Sequence, residues 1–218
     1  MPRRLNLPDS ASVATPEPDG KLFALSAARN VEAITALLTE LAPTGQALEI
    51  ASGTGQHIVH FAAALPQVTW QPTEIDATRR TSIAAYLAET TPPNVKAPIA
   101  LDATASGWGT DHEGQNLITL SNLLHLVSED EARTLVTEAA AALAPNGLLM
   151  IYGPFKRGDT LVSEGDKTFD SSLRAQDPEI GYKSDATVIA WGKAAGLTPL
   201  KTRDMPANNL ALIWQRLA

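Results

Sequence analysis

Apolar residues recur along the chain with two spacings, one typical of amphipathic helices and one typical of short buried strands. Over residues 22–41 the apolar positions lie three or four apart, which predicts a long helix that Pro43 and Gly45 end. Further helices are predicted over residues 56–65, 77–89, 129–143 and 186–195. Strands are predicted over residues 47–51, 68–73, 95–101, 117–120, 148–152, 197–203 and 210–216. This alternation predicts an α/β domain with a mostly parallel sheet and helices on both faces.

Two segments fall outside the alternation. Residues 1–20 carry four prolines and little apolar content, which predicts a flexible N-terminal arm. Residues 153–182 are polar, contain glycine and are too long for a routine connector, so we expect an insertion that caps a functional site. The remaining chain shows no repeat of fixed period, and residues 21–218 are therefore expected to form a single domain.

Composition narrows the classes of function. The chain has no cysteine, which excludes a disulfide framework, a thiolate nucleophile and a cysteine zinc site. Its 17 basic and 24 acidic residues give a formal net charge of -7, which disfavours non-specific nucleic-acid binding. No apolar run reaches the roughly 18 residues of a membrane span, and the first residues lack the apolar core of a secretory signal. We expect a cytoplasmic protein without nucleic-acid or membrane partners.

The stretch ALEIASGTGQHIVHF, residues 47–61, predicts a strand, a tight small-residue turn and a helix, which is a common ligand site in open α/β sheets. A P-loop needs a lysine after the second glycine, but Gln56 and His57 follow Gly55 here. A dinucleotide turn needs a small residue at the third glycine position, where this chain has Ile58. Neither phosphate-binding interpretation therefore fits the turn well.

Three acidic residues at three consecutive predicted strand ends favour a cationic ligand. Glu49 precedes the turn, where a carboxylate suits the ammonium and sulfonium groups of S-adenosylmethionine better than a pyrophosphate. Glu74 follows about 20 residues later, the spacing of a carboxylate that binds ribose hydroxyls. Asp102, with the amide of Ala103 beside it, is placed to reach the adenine amino group. Together these residues predict S-adenosylmethionine as the cofactor.

The turn resembles the first motif of class I S-adenosylmethionine-dependent methyltransferases, an acid, two residues and then G-x-G. Alanine at position 51, where glycine is common, departs from the broad pattern. More closely, the chain is similar to an uncharacterised methyltransferase-like family, domain of unknown function 938. The similar segments are FALSAARNVEAI, LEIASGTGQHIVHFA, WQPTEID, NVKAPIALD, NLLHLVS, LLMIYGPF, FDSSLR and DMPANNLALIW. The resemblance implies a Rossmann-like class I methyltransferase fold with a seven-stranded sheet, six strands parallel and the last antiparallel. It also implies S-adenosylmethionine as methyl donor, and it leaves the acceptor undefined.

The candidate site residues fall into two groups. Asn122, His125 and Tyr152 follow or end the predicted fourth and fifth strands, where an acceptor would lie. Asn122 is a candidate to orient the acceptor, His125 to act as base and Tyr152 to wall the pocket. The alternatives are a loop cap, a buried hydrogen bond and an ordinary core aromatic. The cofactor candidates are Arg29, Glu49, Ala51, Ser52, Gly53, Thr54, Gly55, His57, Glu74, Asp102, Ala103 and Asn122.

Two classes of function remain open from the sequence. The favoured one is a methyltransferase that acts on a small-molecule acceptor; the alternative is a non-catalytic module that only binds S-adenosylmethionine. A nicotinamide-dependent oxidoreductase is disfavoured by Ile58 and Glu49. We expect no metal site, because His57 and His60 share a helix face but have no evident third ligand.

Overall fold

The computed structural model describes residues 13–218, so residues 1–12 of the predicted arm lie outside the described part of the chain. The helices are α1 (Leu25–Leu41), α2 (Gln56–Ala64), α3 (Ala77–Thr90), α4 (Trp108–Asp111), α5 (Glu129–Ala142), α6 (Glu164–Gln176) and α7 (Asp185–Ala194). The strands are β1 (Thr15–Pro16), β2 (Leu22–Phe23), β3 (Gly45–Ile50), β4 (Val68–Pro72), β5 (Gln115–Ser121), β6 (Leu143–Pro154), β7 (Leu197–Asp204) and β8 (Asn209–Arg216). Within this part of the chain, every helix is too short or too polar to span a lipid bilayer.

Six strands form the central sheet in the order β4–β3–β5–β6–β8–β7. Strands β4, β3, β5 and β6 are parallel, whereas β8 runs antiparallel to both β6 and β7. The carboxyl ends of β3, β4 and β5 therefore meet at one edge, as the sequence predicts. The mostly parallel α/β architecture is confirmed.

The predicted third strand, residues 95–101, is wrong, and the sheet has six strands rather than seven, because this segment makes only two isolated bridges, Val95 with Trp70 and Ile99 with Thr73. Trp70 donates its amide hydrogen to the Asn94 carbonyl and accepts one from Lys96, as in a parallel ladder. The next rungs would need amide hydrogens at Pro72 and Pro98, which have none. Pro72 and Pro98 thus remove two successive hydrogen bonds, and the register shifts by one residue before Ile99 bridges to Thr73.

Apolar side chains pack on both faces of the sheet. Leu48 and Ile50 of β3 point to the face covered by α5 and α7, and Ala47 points to the face covered by α1 and α2. This alternation follows the two-residue period of a strand, with both faces buried as expected for a parallel sheet. The sheet therefore fixes which side each residue at its carboxyl edge occupies.

The described end of the predicted arm includes β1, which pairs with β2 in a two-stranded antiparallel sheet. We call residues 15–24 the N-terminal strap. The strap contacts α3, where the Tyr86 hydroxyl donates to the Leu22 carbonyl at 3.2 Å and Lys21 pairs with Glu89. These contacts attach the strap to the helices beside the turn between β3 and α2.

The insertion at residues 153–182 contains α6, which the sequence pattern did not predict. Ser163 and Asp166 form a capping box at its N-terminus, and Leu173 anchors its buried face. A small apolar cluster lies beneath it, formed by Leu126, Leu173, Ile180 and Tyr182 with Leu161 and Phe169 packed against them. The insertion thus covers the loop that follows β5.

Candidate functional site

The turn between β3 and α2 requires unusual backbone geometry. Ala51, Gly53 and Gly55 have φ angles of 51°, 62° and 94°, in the left-handed region that favours glycine. At Gly55 a Cβ would also lie 2.8 Å from the Ile83 Cα, closer than real Cβ atoms approach. Gly55 is therefore needed both for its conformation and for the close approach of α3.

Glu74 is tied directly to this turn. The Gly53 amide donates to Glu74 Oε2 at 3.0 Å, and the Asp76 amide donates to Oε1 at 3.1 Å. Burial raises the pKa of Glu74, while the Asp76 amide and the charge of Arg79 oppose that rise. Asp76 instead caps α3 by accepting the Arg79 amide at 2.9 Å, so Glu74 is the acid that faces the turn.

Glu49 is a buried carboxyl group near the end of β3. Its side chain is only 3% exposed, and its Oε2 atom has no hydrogen-bond partner among the described residues. Burial raises the pKa of Glu49 to about 8; a hydrogen bond from Ser52 lowers it, and the charge of Glu74 raises it further. Glu49 is therefore mostly protonated at neutral pH, and it retains an unused acceptor.

Thr119 lies directly beside Glu49 on β5, since the two residues are register partners in the parallel pair. Their side chains therefore share one face of the sheet. The Thr119 hydroxyl is buried and also lacks a hydrogen-bond partner among the described residues. Two unpaired polar atoms thus lie side by side near the carboxyl ends of β3 and β5, where buried polar groups are ordinarily paired.

Asp102 lies in the loop after the interrupted edge segment. Its Oδ1 atom accepts hydrogen bonds from the Thr104 amide at 3.0 Å and the Thr104 hydroxyl at 2.6 Å. The Ala103 carbonyl accepts the Trp108 indole N–H at 3.1 Å, which fixes the loop to α4. Asp102 remains partly exposed and Ala103 is buried, so the loop presents a carboxylate on a fixed backbone.

Arg29 and His57 occupy opposite environments. Arg29 is exposed on α1, whereas the neighbouring Asn30 is buried. His57 Nε2 lies 2.7 Å from Asn30 Oδ1, and the His57 ring stacks on Phe61 with centroids 5.4 Å apart. Burial lowers the pKa of His57 to about 4, although a hydrogen bond with the Ala27 carbonyl opposes this. His57 is thus a neutral side chain that joins α2 to α1.

Asn122 and Tyr152 meet where β5 and β6 end. The Asn122 amide donates to the Tyr152 carbonyl at 2.9 Å, and Asn122 itself has a φ of 57°. Tyr152 is 2% exposed; burial raises the pKa of its hydroxyl, and a hydrogen bond with Asn30 lowers it. The same Asn30 therefore contacts one cofactor candidate, His57, and one acceptor-side candidate, Tyr152.

His125 lies under the insertion. Its ring packs against Phe169 and Tyr182, with centroid distances of 5.7 and 6.1 Å. Burial lowers the pKa of His125 to about 3, and the charge of Lys183 lowers it further. Its Nδ1 atom is buried without a hydrogen-bond partner among the described residues. His125 is therefore neutral at physiological pH and is a much weaker base than a solvated histidine.

Three polar residues at this edge were not among the sequence candidates. Thr119 interrupts an apolar strand, a pattern that could have signalled a site. Ser82 and Gln56 carry no comparable signal, because their importance arises from contacts with distant residues. Ser82 is fully buried on α3 and donates to the Thr54 carbonyl at 2.6 Å, and Gln56 Oε1 accepts the Thr54 hydroxyl at 2.9 Å.

Solved structures of methyltransferases share this fold. A putative O-methyltransferase from Nostoc punctiforme matches with a TM-score of 0.75 and 17% identity, over 87% of this chain and 56% of that one. An O-methyltransferase family protein from Burkholderia thailandensis matches with a TM-score of 0.71 and 17% identity, over 86% of this chain and 58% of that one. An O-methyltransferase family 2 protein from Planctomyces limnophilus, in complex with apigenin, matches with a TM-score of 0.66 and 20% identity, over 86% of this chain and 62% of that one. The chain thus spans a little more than half the length of these proteins.

A family comparison covers nearly all of the described chain. Residues 21–216 match the family described as protein of unknown function DUF938. This range contains β3 and the turn that follows it, Glu74, Asp102 and the insertion. The chain belongs to the DUF938 family, as its sequence motifs predict, and it has the fold of class I methyltransferases.

Proposed function

We propose that this protein is an S-adenosylmethionine-dependent methyltransferase that acts on a small-molecule acceptor. The observation that carries the proposal is the buried Glu49 carboxyl group beside the turn between β3 and α2, whose Oε2 has no hydrogen-bond partner within residues 13–218. A buried acid without a partner is costly unless a bound group compensates it. A cationic ligand at the turn would provide that compensation, whereas a pyrophosphate would be repelled once the acid ionised.

The other residues at this edge fit an adenosyl ligand. Glu74 retains free lone pairs for two ribose hydroxyls, because each carboxylate oxygen accepts more than one hydrogen bond. Asp102 and Ala103 lie on the next loop, where they would contact the adenine. Arg29 is exposed on α1 and would bind the carboxylate of the methionine portion. His57 supports this arrangement indirectly, through Asn30.

Comparisons with related folds support the choice of cofactor and acceptor. The human N-acetylserotonin methyltransferase, which has a TM-score of 0.69 and 11% identity, was solved in complex with SAM. The protein PigF, with a TM-score of 0.65, was solved with SAH. The Planctomyces limnophilus protein binds apigenin, a small molecule. We infer that this chain uses the same cofactor and also acts on a small molecule.

The cofactor would supply an electrophilic methyl group, and the protein would have to align an acceptor and exclude water. Asn122 would orient the acceptor, and the hydrogen bond from its amide to the Tyr152 carbonyl, which fixes its loop near the end of β6, supports this role. Tyr152 would form the wall of the acceptor pocket, and the insertion would cover it. His125 is neutral, so it can accept a hydrogen bond from a protonated acceptor. Its low pKa makes full proton removal by His125 inefficient for an acceptor of high pKa.

Calorimetric titration tests the proposal. S-adenosylmethionine and S-adenosylhomocysteine should both bind saturably, and NADH should not bind. Transfer of a radiolabelled methyl group to a panel of small phenols, amines, thiols and carboxylic acids then tests turnover. If neither adenosyl ligand binds, the proposal is refuted. Binding without turnover on any acceptor would favour the non-catalytic module.

A further inference from the structure

The N-terminal strap is connected to the turn between β3 and α2 through two side chains. The Leu22 amide donates to Ser82 Oγ at 2.8 Å, and that hydroxyl donates to the Thr54 carbonyl at 2.6 Å. Two residues along the strap, the Ala24 amide donates to Gln56 Oε1 at 2.7 Å, and the same oxygen accepts the Thr54 hydroxyl at 2.9 Å. Both paths therefore converge on Thr54.

Thr54 occupies the centre of the proposed cofactor turn. It lies between Gly53, whose amide binds Glu74, and Gly55, whose φ of 94° allows α3 to approach. Both Ser82 and Thr54 are buried, so water does not readily replace these hydrogen bonds. If the strap leaves, the Ser82 hydroxyl loses its donor, and Gln56 loses one of the two partners that fix its amide. The strap and the turn therefore share the same polar contacts.

We propose that Ser82 and Gln56 are positioning residues that couple the docked strap to the cofactor turn, so that binding of an adenosyl ligand and docking of the strap stabilise each other. This inference rests on the proposed function, because it requires the ligand to bind at the turn. The coupling is reciprocal: the factor by which the docked strap increases ligand affinity equals the factor by which the ligand favours docking.

The chain offers a matched control. Tyr86 also holds the strap, through its hydroxyl on the Leu22 carbonyl and its ring beneath Lys21, but it makes no hydrogen bond to Thr54. Ser82→Ala and Tyr86→Phe therefore both loosen the strap at Leu22. Only Ser82→Ala also breaks the path to the turn. Gln56→Ala breaks the second path and serves as an independent variant if Ser82→Ala folds poorly.

Limited trypsin digestion measures docking of the strap. Cleavage after Lys21 separates residues 15–21 of the strap from the domain and creates a new N-terminus at Leu22, which mass spectrometry identifies. Lys21 packs on Tyr86 and pairs with Glu89, so we expect cleavage to follow the fraction of molecules with an undocked strap. The measured quantity is the ratio of cleavage rates without and with saturating S-adenosylhomocysteine. Calorimetry with the same ligand gives the affinity of each variant.

In the wild type and in Tyr86→Phe, the ligand should slow cleavage after Lys21 about fivefold or more, a typical size for coupling between sites. In Ser82→Ala and in Gln56→Ala the ratio of cleavage rates without and with ligand should fall towards one. The affinity for the ligand should weaken by a similar factor. A merely structural role for Ser82 would raise cleavage but leave the protection ratio unchanged, and that result would overturn the inference. Ligand binding without protection in the wild type would overturn it too. If calorimetry shows no ligand binding at all, the proposed function itself fails.

Discussion

Ligand binding at the turn should release a proton from Glu49. In the free protein the pKa of this group is about 8, so it is largely protonated at neutral pH. A bound ammonium or sulfonium stabilises the ionised form and lowers the pKa. The sign follows directly: binding becomes tighter as pH rises towards 8, because less work is needed to ionise the carboxyl group before the cation binds.

The number of protons released and the pH dependence of affinity both follow from the raised pKa of Glu49. At pH 7 a group with a pKa of 8 is only about 10% ionised, so binding should release about 0.9 proton per ligand. Between pH 6 and pH 7.5 the ionised fraction rises roughly 20-fold, and the affinity should rise by up to that factor. Above pH 8 the ligand's own α-amino group begins to lose its proton, so the comparison is best made below that value.

Isothermal calorimetry with S-adenosylhomocysteine in several buffers of different ionisation enthalpy measures the released protons directly. Glu49→Gln is the matched variant, because it keeps the shape of the side chain but cannot ionise. It should abolish most of the proton release and flatten the pH dependence of affinity. The pKa of nearby Glu74 is also raised, so Glu74→Gln must be measured in parallel. Proton release that persists in Glu49→Gln, or its absence from the wild type, would refute the reasoning.

Three further predictions concern other residues at the same edge. Glu74→Ala should weaken binding of S-adenosylmethionine by about 1–3 kcal/mol in calorimetry, because charge-assisted hydrogen bonds are lost; unchanged affinity would mean that the ribose binds elsewhere. His125→Ala should leave cofactor affinity intact and reduce turnover with an identified acceptor, and normal turnover would remove His125 from the catalytic group. Gly55→Ala should lower the free energy of unfolding by about 2 kcal/mol or more in denaturant titrations, since its Cβ would meet α3. Gly114→Ala is its control, with a φ of 87° but open space around it, and equal losses in both variants would show that close packing at Gly55 is unimportant.

Sequence patterns were informative where local rules determine structure. The strand, turn and helix around Gly53 could be predicted because a short run of small residues between an apolar strand pattern and a helical pattern is typical of a tight turn. The acids at strand ends could be predicted because parallel strands bring their carboxyl ends together. The apolar pattern of residues 95–101 wrongly predicted a third strand. The strand fails because Pro72 and Pro98 lack the amide hydrogens that its pairing with β4 would need, and that pairing depends on the register between two separate segments.

The sequence pattern predicted neither helix α6 nor the buried hydrogen bonds between distant polar residues, and the reasons differ. The helix lies in a polar segment with glycines, although Ser163 and Asp166 already form a recognisable capping box. The contact between Asn30 and His57 joins residues 27 positions apart, and no periodic pattern encodes it. The same is true of Ser82 and Thr54. The acids at the strand ends thus follow from the sequence, whereas the residues that hold the turn in place depend on tertiary packing.

The two prolines Pro72 and Pro98 also bear on whether this edge of the sheet could accept a further strand. A continuous outer strand would offer unpaired amide and carbonyl groups on which another chain could add a strand. Here the segment that covers β4 is interrupted between its two isolated bridges, so it does not present a continuous outer strand. At the opposite edge, β7 carries Pro199, Lys201 and Arg203 and a register shift, features that also discourage pairing. Replacement of both Pro72 and Pro98 by β-branched residues would restore the two missing amide hydrogens, extend the sheet and create a continuous edge, and with it a site for aggregation.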